Sequence, residues 1–430
     1  AEIPLPHASP KMKDISMKTT HNLTTLVRAG ALLATAIAWG SFAQAQTCTA
    51  TWTGNANDGL WSNPANWSPR KVPGPTSDAC IPAYASAGAI TPVSVHSLQI
   101  GTYGGLLIES KNSSTSFSVA TSLSNQGLIQ LYGVALSAAS LDNMPGGNIN
   151  VYNQNSSITS PAFSNDTADS NGGGLYVGVG LTLRLAYNPV QLQNGILSGG
   201  VWYVDDTGVL IIPSDISQLR TTPGAPIGST VVQIDGRGLI QDASGKNALV
   251  TLTSLGSGTI LGLGYGAPLV VDQDLTSQGQ INLGNGGSGN SLTVKGTYTQ
   301  ESGASMGMFG TLNATSVIVQ SGSSLGGNGT IASSVTNDGS MTLQGSMIVT
   351  GSYSQAAGAA LTEYFASTLT VISNATLSGA LNVTFSPKHP PASGAKYTAV
   401  TAGSLSGSFT KHTAGFALTT NGNSITVTKQ

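Results

Sequence analysis

Two motifs recur in the C-terminal half of the chain at fixed offsets, which obliges the fold to stack copies of one unit. Val294-Lys-Gly296-Thr-Tyr298-Thr-Gln300-Glu-Ser-Gly303 returns as Val349-Thr-Gly351-Ser-Tyr353-Ser-Gln355-Ala-Ala-Gly358, an offset of 55 residues. A shorter unit, Gly-x-apolar-x-Leu, occurs at Gly127 to Leu131, Gly279 to Leu283 and Gly339 to Leu343, the last two offset by 60. The five extra residues fall in "GNGGSGN", Gly284 to Asn290, where the later copy has only Gln344-Gly345. An insertion absorbed in a glycine-rich turn, with flanking strands in register, is how solenoids vary.

From about residue 95 the sequence is short alternating apolar runs broken by Gly, Asn and Ser, such as "GLIQLYG" and "GVLIIP". These are strand and turn signals, and no capped amphipathic helix follows residue 45. The expected fold is all-β, a right-handed parallel β-helix. Its interior should be dry and aliphatic, lined by Ile129, Leu131, Ile281, Leu283, Met341 and Leu343. Tyr298 and Tyr353 occupy equivalent positions and should form stacked aromatic ladders. Allowing a cap and a tail, roughly 20 to 25 residues per coil gives about 13 to 16 coils.

A β-helix leaves an open edge at each end, so a cap is needed before the first coil. Cys48 and the segment "TWTGNANDGLWSNPANWSPRKVPGPTSDACI" stand there, with Trp52, Trp61 and Trp67 between Cys48 and Cys80. Residues 46–95 are therefore read as the cap, 96–410 as the β-helix and 411–430 as a C-terminal strand or cap. The chain's 2 cysteines belong to an exported protein, because "MKTTHNLTTLVRAGALLATAIAWGSFAQAQ" has the basic, apolar and small-residue regions of a signal peptide over 17–45. Cleavage is expected after Ala45, and residues 1–16 read as an upstream extension. In an oxidising compartment an even pair of cysteines usually bonds, so a Cys48–Cys80 disulfide is expected. The three tryptophans fit burial in the cap; the alternative is a face that stacks on sugar rings.

Only 8% of the chain is charged and the net charge is -2, against roughly 25% charged residues in an ordinary domain. A phosphate-binding face needs clustered Lys and Arg, so no nucleic-acid partner is expected. No stretch after the signal peptide approaches the ~20 apolar residues of a transmembrane helix. His96, His389 and His412 stand apart without ligand spacing, so neither a metal nor a cofactor is expected. Asn-x-Ser/Thr triplets at Asn66, Asn112, Asn155 and Asn313 follow from an Asn- and Ser-rich composition.

The catalytic candidates are Asp205 and Asp206 in "GGVWYVDDTG", beside Trp202 and Tyr203, which join Trp52, Trp61 and Trp67 as ligand-binding candidates. Glycoside hydrolysis needs two carboxylates facing one sugar. Adjacent strand residues point to opposite faces, so this pair serves only if it sits in a turn, and Asp before Gly is itself a turn signal.

The opening Trp52-x-Gly54, Trp61, Asn66-Trp67, Asp78-x-x-Ile81 and the segments "SLGGNGTIASSVTNDGSM", "GSYSQAAGAALTEY", "LTVISNATLSGALNVTF" and "GAKYTAVTAGSLSGSF" resemble the passenger regions of bacterial autotransporters and related secreted β-helix proteins. The resemblance implies a secreted or cell-surface solenoid in adhesion, extracellular matrix or envelope structure, without catalysis, whose partners are polysaccharides or other surface components. A carbohydrate-active β-helix enzyme, or a carbohydrate-binding surface protein, is the other expectation. The twenty or so residues after Phe409 are too few for an outer-membrane barrel, so the expectation is a released chain, an anchor supplied in trans by a separate partner, or a sequence that continues beyond this one.

Overall fold

A computed structural model describes residues 47–110, 115–166, 174–222, 225–285 and 289–430. The upstream extension, the signal peptide with its cut after Ala45, and Asn112 lie outside the described residues. The described body is all-β, 57% strand and 1% helical, and winds as a β-solenoid of about 13 turns.

The alternation in the sequence is what builds it. In Leu128–Tyr132 every second side chain is buried, and parallel pairing sets Ile129 on Leu106 before it and on Ile149 after it. The same column continues through Leu175, Trp202, Val232, Leu261 and Ile281 to Met341 and Leu381. All six residues expected to line the interior are fully buried. Each aliphatic side chain so buried contributes about 1.5 to 3 kcal/mol. The coils form three stacks of strands. Ser86–Ala89 opens the first, Val93–Val95 the second and Asp78–Ile81 the third.

Two expectations about the interior need correction. Tyr298 and Tyr353 are buried but do not stack on each other, because Val317 and Val335 stand between them in register. The 55-residue offset spans three coils of about 18 residues, so it marks equivalent positions, not neighbours. Nor is the interior wholly aliphatic. Asn125, Asn143 and Asn165 form a buried ladder in the third stack, with Asn125 Nδ2 donating to Asn143 Oδ1 at 2.7 Å and Asn143 Nδ2 to Asn165 Oδ1 at 2.8 Å. Farther along, Gln300 and Gln355 face the same way and donate to the backbone of the following turn. Side-chain amides offer both donors and acceptors, so they satisfy the backbone groups that a tight corner leaves unpaired.

Both ends depart from parallel pairing. Ala50–Trp52 pairs in parallel with Asp78–Ile81 and antiparallel with Trp67–Ser68. At the other end Ser424–Lys429 pairs antiparallel with Lys396–Gly407 and with Phe416–Asn421. Cys48 and Cys80 are bonded, with Cα atoms 5.8 Å apart, which ties the chain preceding the first strand to the first parallel rung.

Candidate functional site

The tryptophans of the N-terminal segment are turned inward. Trp52, Trp61 and Trp67 are at most 3% exposed. Trp67 lies edge-on to both others, at 5.1 and 4.6 Å between ring centroids, and Trp61 meets Phe117 of the solenoid at 5.3 Å. Trp67 Nε1 donates to the Trp61 carbonyl at 2.8 Å. The loop between them is fixed by Asp58, which accepts from Asn63 Nδ2, Asn66 Nδ2 and the Leu60 amide. Those bonds, the one from Asn63 foremost, hold its carboxyl below the usual carboxylate range. This arrangement corrects the sugar-stacking alternative: rings packed on one another and on Phe117 present no free face. Trp202, 2% exposed, is likewise part of the interior column.

Asp205 and Asp206 do sit in a turn, closed by Gly208 N on Asp205 O at 2.8 Å, yet their carboxylates are committed to different partners. Asp205 accepts from the Tyr176 hydroxyl at 2.7 Å. Asp206 accepts from the Arg237 amide at 2.8 Å and pairs with the Arg237 guanidinium at 3.6 Å. The two do not share a reacting centre. Tyr203 faces outward on the first stack and donates its hydroxyl to Asp235, which also accepts from Gln233 Nε2 at 2.6 Å.

These contacts end a column absent from the sequence reading. Tyr132, Tyr152, Tyr176 and Tyr203 follow one another along the outside of the first stack at 5.8, 5.9 and 5.0 Å, the last pair nearly parallel at 18°. Partial burial, then the carboxylate each phenol is bonded to, pushes the Tyr176 and Tyr203 hydroxyls well above the ordinary tyrosine range. The first two pairs are tilted and the last lies face to face, each ring half-buried against the next, so the ladder stabilises the stack more than it offers a surface. Tyr84 and Tyr103 form a second pair, stacked at 5.2 Å and 80% and 72% exposed. They stand two residues before Ser86 and Gly105, which line an apolar groove of about 430 Å³ against the cap loop.

The more polar hollow lies on the third stack. Leu192–Gln193 and Ile196–Ser198 form a hairpin whose turn residues Asn194 and Gly195 both have positive φ, 51° and 77°. That is the two-residue turn that Asn-Gly specifies, and "LQNGIL" is its signal. The hairpin walls a groove of about 600 Å³ over Ser198 and Arg220 to Thr222. A second groove, of about 440 Å³, shares Arg220 and Thr221 and runs on past Ser254, Thr276 and Gln278 to Glu301.

The histidines contribute little here. His96 Nδ1 lies 2.7 Å from Asp78 Oδ1, and Ser97 followed by His96 holds the Asp78 carboxyl low. His389 and His412 are exposed. Among the described residues no three His, Cys, Asp or Glu side chains converge as metal ligands, and no helix is long and apolar enough to cross a membrane. Asn66 is buried, while Asn155 and Asn313 hydrogen-bond to Thr182 and Thr293 of neighbouring coils. No protein-family model matches the chain, and no curated protein matches it.

Proposed function

We propose that this chain is a secreted or surface-displayed bacterial β-solenoid, comparable to autotransporter passengers, that serves adhesion, matrix or envelope structure and performs no catalysis. The observation that carries the reading is the outer face of the coils, where small uncharged polar residues stack rung on rung. Ser305, Ser324 and Ser340 follow one another on the first stack, and Thr276 and Thr299 on the third. A rigid rod bearing columns of hydroxyls and amides suits repeated weak contacts with hydrated polymers, since each rung adds a contact without new ordering cost. The separate commitments of Asp205 and Asp206 support the non-catalytic side of the proposal.

A second reading, a carbohydrate-binding surface protein, is favoured by the two grooves that share Arg220 and Thr221 and mix polar with apolar lining. Export is tested by fractionating cells that express the full chain. The expected product starts at Gln46 and is found in the medium or on the surface, and strains lacking it attach less well. A cytosolic product that retains residues 17–45, or unaltered attachment, would overturn the proposal. Release of soluble sugars from polysaccharides by the purified protein would overturn the non-catalytic part.

A further inference from the structure

We infer that the groove of the third stack centred on Arg220 binds an acidic oligosaccharide lying along the solenoid axis. The inference rests on the surface-adhesion reading and names the partner class for it. Ser198, Arg220, Ser254 and Thr276 stand on successive rungs from Ile196–Ser198 to Leu275–Ser277, with Thr299 and Glu301 one rung farther. Four inter-rung steps of ~4.8 Å make a track of about 19 Å. That is the reach of a tetrasaccharide, and its ring-to-ring repeat is close to the rung spacing.

The polar side chains along the track are hydroxyls and amides, set among the apolar Val190, Ile196 and Leu255, a lining that suits both the hydroxyls and the apolar ring faces of sugars. Arg220 is the exception. It is exposed, and among the described residues no carboxylate pairs with its guanidinium, whereas Arg237 and Lys295 each have an aspartate within reach. In a chain only 8% charged, an uncompensated guanidinium between two grooves selects a carboxylate, which it binds in a planar fork. At the far end Glu301 accepts from Gln278 Nε2 at 2.7 Å, and its charge disfavours a second acidic sugar there. The preferred ligand therefore carries its uronate over Arg220 and an uncharged ring toward Glu301, with the hairpin turn Asn194-Gly195 beside the first sugar.

The test is calorimetric titration of the purified protein with a tetrasaccharide of alternating glucuronate and N-acetylglucosamine, and with the neutral tetramer of N-acetylglucosamine. The acidic probe should bind more tightly, with affinity falling as salt rises. Arg220→Gln should weaken it about tenfold or more, Arg220→Lys should weaken it less, and Glu301→Gln should strengthen it. Arg184→Gln, which alters an exposed arginine of the second stack, should change nothing, and the melting temperatures of all variants should match because both arginines are exposed and Glu301→Gln keeps an acceptor for Gln278. Equal binding of the two probes, no binding of either, or equal effects of Arg220→Gln and Arg184→Gln would overturn the assignment. None of those outcomes bears on export, which the cell fractionation tests separately.

Discussion

Replacing Glu363 by glutamine should remove a pH dependence built into the C-terminal coils. Glu363 lies on Ala360–Tyr364 and faces inward, between Leu343 and Val383 in register. It is fully buried, its Oε2 accepts from the Tyr397 hydroxyl at 3.2 Å, and its Oε1 has no partner. Phe365 closes the site, edge-on to Tyr397 at 4.8 Å. Burial pushes the carboxyl well above its usual value of 4.5, against the smaller effect of the tyrosine bond. A charged carboxylate there would be desolvated and half unpaired, so the folded state keeps the proton.

The sign follows from linkage. Below the unfolded value of 4.5 both states hold the proton and the group adds no pH dependence. Above it the unfolded chain ionises while the folded one does not, so stability falls by about 1.4 kcal/mol per pH unit until the folded value is reached. Glu363→Gln keeps the volume and an acceptor for Tyr397 and cannot ionise. Urea midpoints for both proteins between pH 4 and 7 should therefore agree near pH 4 and then diverge in favour of the variant at that slope. Glu363→Leu should lack the slope as well, but start lower by about 1 to 3 kcal/mol because the Tyr397 hydroxyl is left without its acceptor. Parallel pH profiles for wild type and Glu363→Gln would refute the argument, since every other carboxylate is common to both.

Three further outcomes follow from the disulfide, the asparagine ladder and the tyrosine column. Cysteines 32 apart in sequence close a loop whose chain entropy is about 3.5 to 4 kcal/mol. The double change Cys48→Ser, Cys80→Ser should lower the melting temperature and promote end-to-end association, visible by sedimentation, because the first rung's edge loosens; unchanged melting of a monomer would make the Trp segment an appendage. Asn143→Leu deprives Asn165 Oδ1 and the Gly174 carbonyl of their donor, and should cost about 2 to 4 kcal/mol with faster amide exchange confined to neighbouring coils; a neutral result would mean that the ladder is replaceable by packing. Tyr203→Phe removes a donor from buried Asp235, so it should destabilise by about 1 to 3 kcal/mol at pH 7. Because the folded phenol ionises above its unfolded value of 10.0, stability is lost as pH rises past that value, and this alkaline loss should be smaller in the variant.

The solenoid was legible because its inward positions obey a period of two that no turn residue imitates. Ile129 with Leu131 and Met341 with Leu343 stand in the sequence as they stand in the interior. The disulfide was legible for a different reason, since an even pair flanking a Trp-rich segment needed only an oxidising compartment to be joined. What escaped was the content of the corners. Asn125, Asn143 and Asn165 each end a strand of the third stack, and an asparagine whose amide caps buried backbone inside a coil is the same letter as one that bends the chain outside it.

Coil length explains the misplaced tyrosines. Repeats reveal which positions are equivalent, but adjacency requires the length of one coil, and turns of variable length hide it. Tyr298 and Tyr353 match as letters while three coils separate them. Tyr132, Tyr152, Tyr176 and Tyr203 stack on successive coils although their intervals in sequence are unequal. The groove around Arg220 was hidden by the same effect, because Ser198 meets Arg220, and Ser254 meets Thr276 and then Thr299, only through register. The part that did carry a local signal was Asn194-Gly195 between apolar pairs. An outward hairpin there breaks the regular coil, and a solenoid that interrupts its own rung beside an uncompensated arginine has gained a wall for a groove.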